Sequence, residues 1–135
     1  MFSTSAYVPR ALALLRIVTA FLFIQHGTAK YFGMPHQAMF DNFQFASLMG
    51  VAGALELVGG ALLLIGLFCR PVAFLLSGEM ALAYFMAHVP EGGHVLSPML
   101  NQGESVVLFC FVFLFISVAG GGAWGVDAAR GKTAA

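Results

Sequence analysis

Residues 105–126 read SVVLFCFVFLFISVAGGGAWGV, with no charged side chain from Ser105 to Val126. Crossing the ~30 Å hydrocarbon core of a bilayer takes about 20 mostly apolar residues at ~1.5 Å rise each. This stretch meets that requirement and marks the chain as integral to a membrane. Working outward from it, four spans are expected at about 9–31, 47–68, 71–89 and 102–123. Breakers separate them: Gly33, Met34 and Pro35 after the first, and Arg70 and Pro71 between the second and third. Pro90, Gly92, Gly93 and Pro98 precede the fourth. Pro9 and Pro71 suit helix starts, where the missing N–H has no partner to lose. The expected fold is all-α, one domain over 1–135: an integral membrane four-helix bundle, antiparallel, with short loops.

Composition agrees. Hydrophobic residues make up 60% of the chain and charged ones 9%, against roughly half and a quarter in soluble proteins. Six acidic and six basic residues leave no net charge, which excludes the basic surface of a nucleic-acid binder. Membrane lipid is the expected surrounding. The first apolar stretch carries Arg16, His26 and Lys30 and lacks a small-residue cleavage site, so it reads as a retained helix rather than a signal peptide.

Basic residues flanking the spans set the expected orientation. Arg10, Arg70, Arg130 and Lys132 fall on the side of the two termini, and Lys30 alone on the other. Both termini are then expected in the cytoplasm. The two longer loops face outward.

An ionisable group in hydrocarbon costs a few kcal/mol or more, so it normally faces the bundle interior and has a partner. Counted at ~1.5 Å per residue, Arg16, Glu56 and Glu79 fall within roughly 5 Å of the midplane. His26, Lys30, His88, Asn101 and Glu104 form a second tier roughly 10–16 Å toward the outside. Arg16 and Lys30 lie within about 40° of one helical stripe, with His26 a turn before Lys30. Gly53, Gly59 and Gly60 surround Glu56 and let a neighbouring helix approach closely, which makes Arg16 the expected partner of Glu56. Tyr84 and His88 share a face. Glu79 is nine residues before His88, about 180° away in a regular helix, so both look inward only if the helix is distorted. Otherwise Glu79 marks a second groove or a contact between subunits of a homo-oligomer.

Two readings stand beside each other for this set. In the plainer one the polar groups hold helix register, as buried ion pairs can. In the other, the outer tier does chemistry: a histidine there exchanges protons near neutral pH, and a carboxylate beside it passes them to water. Metal is not expected. The chain has no Glu-x-x-His pair of the di-iron bundle type, although His26, His88 and Glu104 can form a ligand set, and Met34, His36, Met39 and Met99 can hold a soft ion. Cys69 and Cys110 form no CxxC pair. They are expected roughly 20 Å apart in depth, far beyond the ~7 Å Cα separation that a disulfide allows. Phe21, Phe23, Tyr84, Phe85, Phe109, Phe111, Phe113 and Phe115 either line a slot for a flat lipophilic ring or face lipid and core.

The stretches FIQHGTAKYFG (23–33), ELVGGALLLIG (56–66), SGEMALAYFMAHVP (77–90) and NQGE (101–104) resemble the DoxX family in order and spacing. The resemblance runs through all four helices to the ending AWGVD (123–127), with Gly122 and Gly125 where relatives often carry Pro and Ser. It implies a four-helix bacterial inner-membrane protein linked to redox chemistry. The family takes its name from a subunit of an archaeal thiosulfate:quinone oxidoreductase, and relatives are associated with thiol and oxidative stress handling beside soluble partners. The function expected is a redox-associated subunit that binds a quinone-like ring near the outer tier and works with a soluble or membrane redox partner. His26, His88 and Glu104 would donate protons. Lys30 would stabilise the anion of a reduced ring, with Tyr84, Asn101, Arg16 and Glu56 completing the binding site. The rivals are a non-catalytic scaffold or small-molecule binder, and a metal or solute transporter.

Overall fold

The computed structural model describes residues 4–131, so Lys132, counted above for orientation, lies outside the described residues. α1 runs Val8–Phe32 with Pro9 in its first turn, and Gly33 closes it in the left-handed region at φ 65°. α2 runs Leu48–Ile65. Ser47 caps its N-terminus, its hydroxyl oxygen accepting from the Gly50 N–H at 3.1 Å. Such a cap typically contributes about 1 kcal/mol. α3 runs Cys69–Gly92, and α4 runs Glu104–Ala119. A last short helix, α5, covers Val126–Ala129. All regular structure among the described residues is helical. α1 with its leading turn, α2 and α3 are each long and apolar enough to cross a membrane.

The helices form an antiparallel bundle, and contacts at both ends show the alternation. Ile24 of α1 packs on Gly60 of α2, while Gly27, further along α1, packs on Leu57. Leu76 of α3 covers Gly59 of α2. The Ser77 hydroxyl of α3 donates to the Cys110 carbonyl of α4 at 2.8 Å. Ala20, Phe23, Leu63, Cys69, Ala73, Leu76, Met80, Phe113 and Ile116 are the buried core. Side chains pointing the other way, including Phe21, Phe85, Phe111 and Phe115, are exposed where lipid would lie. The aromatic residues therefore do not line one slot.

Two departures from the sequence reading matter for the site. α4 has 16 residues and ends at Ala119, about 24 Å at ~1.5 Å per residue, rather than continuing to 123. Beyond it Gly120, Gly121 and Gly122 leave the helix so that the chain can press against its neighbours. A Cβ on Gly121 would stand 2.4 Å from the Cys69 sulfur, and one on Gly122 would stand 2.5 Å from the Pro9 carbonyl oxygen. The Ala123 N–H donates to that same carbonyl at 2.9 Å. The second departure lies in α3, which winds as a π-helix over Tyr84–His88. A π turn advances each residue by less than the ~100° of an α-helix. The distortion that would let Glu79 and His88 both face inward is thus present.

Candidate functional site

Three helices bring their charges together in the half of the bundle near the α1–α2 loop. Lys30 of α1 donates from Nζ to both carboxylate oxygens of Glu56 on α2, at 2.6 and 2.7 Å. The two side chains are 7% and 5% exposed, so this is a buried ion pair with two charge-assisted bonds. Glu79 of α3 completes the group. Its electrostatic neighbours are Glu56 and Lys30, and both its carboxyl oxygens are shut off from solvent without a hydrogen-bond partner. The packing explains the meeting. Leu76 of α3 sits on Gly59 of α2, and in antiparallel helices three residues on from Leu76 faces three residues back from Gly59. Those positions are Glu79 and Glu56.

This corrects two expectations. The partner of Glu56 is Lys30, not Arg16, and Glu79 turns its carboxyl into the chain rather than offering it to a second subunit. Phase relative to His88 misplaced Glu79, because the π segment lies between them. The antiparallel register of Gly59 and Leu76 is the signal that would have found it.

Arg16 serves the opposite end of the bundle. It is fully buried and donates through Nη1 to the Leu63 carbonyl at 2.9 Å. Nη2 donates to the carbonyls of Trp124 at 3.0 Å and Ala123 at 3.3 Å. A cation over the last turn of α2 also complements that helix's dipole. The Asp127 carboxylate works from the same segment, accepting from the N–H groups of Phe68 at 3.0 Å and Cys69 at 2.8 Å, which satisfies donors at the start of α3. Arg16 was misplaced in depth because the segment after α4 folds back beneath the bundle and covers it. Asp127 was missed as a structural residue altogether. Cys69 lies buried at this end and Cys110 lies beside Ser77.

The outer tier divides. The His26 ring stands where α1 passes α4, edge-on to Phe109 at 6.0 Å and 6.3 Å from the Phe23 ring. The residue is exposed, and no hydrogen bond from the described residues reaches its imidazole. Tyr84, His88 and Asn101 instead form a closed network. Asn101 is buried, donating from Nδ2 to the Tyr84 hydroxyl at 3.1 Å and accepting at Oδ1 from the Gly103 N–H at 2.9 Å. The Tyr84 hydroxyl donates to the Val95 carbonyl at 2.8 Å, and His88 Nδ1 lies 3.1 Å from the Asn101 carbonyl. These bonds fasten the loop between α3 and α4. Gly103 lets the Tyr84 ring close in, since a Cβ there would stand 2.6 Å from it.

Glu104 is exposed at the start of α4 and lines an open groove of ≈ 600 Å³ with Met99, Leu100 and Leu108. No hydrogen bond or ring contact among the described residues joins His26 to His88 or Glu104. Nor do the described residues contain a group of three or more His, Cys, Asp or Glu side chains placed to hold a metal ion. The three expected proton donors thus make different contacts: His26 with the Phe109 and Phe23 rings, His88 with the Asn101 carbonyl, and Glu104 with the groove beside Met99 and Leu100.

A different cavity, of ≈ 280 Å³, opens beneath the α1–α2 loop. Lys30 stands at its inner end, with Nζ 5.5 Å from the Phe40 ring centroid. The exposed His36–Asp41 pair, at 2.8 Å, stands on its rim.

A protein from Haemophilus influenzae, described as uncharacterized, is 43% identical over 128 residues, covering 94% of this chain and 96% of its own. No solved structure matches the chain. The DoxX family model matches residues 11–89, which hold Arg16, Lys30, Glu56, Glu79 and the π segment; the chain belongs to the DoxX family.

Proposed function

We propose that this protein is a redox-associated subunit of a bacterial inner membrane that binds a quinone-like ring at the seam between α1 and α4 and exchanges electrons with a partner protein. The observation that supports it is His26: an exposed imidazole against Phe109 and Phe23, with no hydrogen bond from the described residues. Flat lipophilic rings are recognised by apolar walls with a few placed polar groups, and the seam supplies both. When bound, a quinone would accept two electrons and two protons. His26 would orient a ring carbonyl by hydrogen bonding and hold the proton to be delivered there, since imidazole is suited to general acid–base work near neutral pH. Phe23 and Phe109 would exclude water. The electrons would come from a flavin- or dithiol-bearing partner.

The test uses the full chain in lipid nanodiscs with a short-tailed ubiquinone as probe. The wild type should rise in thermal stability on adding the probe, and His26→Phe should fold equally well yet show no rise. Absence of a shift in the wild type, together with no co-purified quinone, ends the proposal. Arg10, Arg70 and Arg130 gather at the end of the termini, which supports cytoplasmic termini. A reporter fused to the C-terminus and active only in the cytoplasm checks that.

A scaffold reading has one observation of its own. Tyr84, His88 and Asn101 are hydrogen-bonded in fastening a loop rather than left free for a ligand. It predicts a homo-oligomer whose size in native mass spectrometry changes with His88→Ala while the probe shift persists.

A further inference from the structure

We propose that Glu79 carries an exchangeable proton, and that the cluster it forms with Lys30 and Glu56 reaches water through the cavity under the α1–α2 loop. The argument is a count of partners. The group holds one ammonium and two carboxyls, contributed by three helices. Lys30 commits hydrogen bonds to both oxygens of Glu56. Glu79 is left with neither oxygen bonded and neither open to solvent. A carboxylate without donors, beside a second carboxylate and away from water, is strongly disfavoured, whereas its neutral acid is tolerated.

The elements packed against Glu79 offer no other relief. From α1 come Lys30, already engaged, and His26, whose ring lies against Phe109 of α4, and from α2 comes Glu56. α4 carries one charged residue, Glu104, which is exposed in its first turn, and its Cys110 is turned toward Ser77. Electroneutrality therefore gives Lys30⁺, Glu56⁻ and a neutral Glu79.

The cavity makes that proton exchangeable. It runs from the exposed His36 and Asp41 at the loop surface to Lys30, whose ammonium touches Glu56. Lys30 lines that cavity together with His36 and Asp41, and its bond to Glu56 leaves Glu79, the electrostatic neighbour of both, one step from an opening to water. Protons enter from the side of the long loops, not from the end where Arg16 and the glycine segment close the bundle. The site stands whether or not a ring binds at His26.

Infrared spectroscopy of the full chain in nanodiscs tests it. The wild type should show the carbonyl stretch of a neutral carboxyl, shifted on transfer to deuterium oxide, and Glu79→Gln should remove it. Lys30→Met should roughly double it, because the second carboxyl then loses its counter-charge too. A band that survives E79Q, or one that is absent from the wild type, overturns the proposal. Should E79Q fail to fold, peptide mapping of the wild type after treatment with dicyclohexylcarbodiimide, which adds to neutral carboxyls in apolar surroundings, supplies the answer. An adduct on Glu79 supports the site, and an unmodified Glu79 overturns it. None of these readouts uses a quinone, so their failure is distinct from failure at His26.

Discussion

Replacing Lys30 by Met leaves Glu56 buried, 5% exposed and without its two bonds of 2.6 and 2.7 Å, so that it must take up a proton to stay there. Removing one member of a buried pair costs about 3–5 kcal/mol. Replacing Glu56 by Leu is expected to cost less, about 1.5–3 kcal/mol, the range for a lost hydrogen bond to a charged group. The ammonium it strands still has Glu79 within its field and can turn to it. The double variant removes both charges and should lie nearer the wild type than Lys30→Met does, as replacement of whole buried pairs by apolar groups often does. The expected coupling is about 2–3 kcal/mol, at the upper end of what contacting residues show. Reversible unfolding in mixed micelles, followed by circular dichroism as sodium dodecyl sulfate is raised, measures all three. Equal costs for the two single variants would refute the nearness of Glu79, and additive costs in the double would refute the pair itself.

Gly27→Ala should destabilise by about 1–3 kcal/mol in the same assay, since its Cβ would stand 2.9 Å from the Leu57 backbone nitrogen and 3.0 Å from the Gly53 carbonyl oxygen, neither of which can swing aside. Asp127→Ala should cost about 0.5–2 kcal/mol by uncapping α3 and should speed proteolysis at the 120–127 segment, read by mass spectrometry. Asn101→Ala should raise hydrogen exchange in the loop over 93–103, where that side chain is buried and bonded to Tyr84 and Gly103. The exposed neighbour Gln102, changed to Ala, should leave exchange there unchanged.

The four helices were legible because a membrane enforces them through length and apolarity, signals that survive in a single sequence. α1 and α2 came within a few residues of their expected ends, where Pro9, Ser47, Gly33 and Gly66 punctuate them. The fourth did not, because Gly120, Gly121 and Gly122 are apolar enough to extend a hydropathy pattern while leaving the helix. That inward charges exist was also legible, since hydrocarbon makes them conspicuous. Their pairing was not. Depth alone set Arg16 level with Glu56, and only the return of the chain beneath the bundle shows that Arg16 belongs to another layer. His26 and Lys30 were read as one stripe, yet the ~40° between them is enough to send one to α4 and the other to α2. Regular helical phase failed at Glu79 for the reason that the π segment supplies.

Arg16 belongs to the first helix, yet two of its three acceptors, the carbonyls of Ala123 and Trp124, are synthesised more than a hundred residues later. Until they arrive, α1 holds a guanidinium whose described acceptor is the Leu63 carbonyl. α1 therefore completes its hydrogen bonding at this end only once the 120–127 segment has been made. A chain cut short before Gly120 keeps an under-bonded cation at one end and the start of α3 without Asp127, faults that loosen that end and mark the product for degradation. The 120–127 segment acts as a clasp between distant parts of the chain: it answers a cation of α1 and the free N–H groups of α3 at once, so its loss is felt at both.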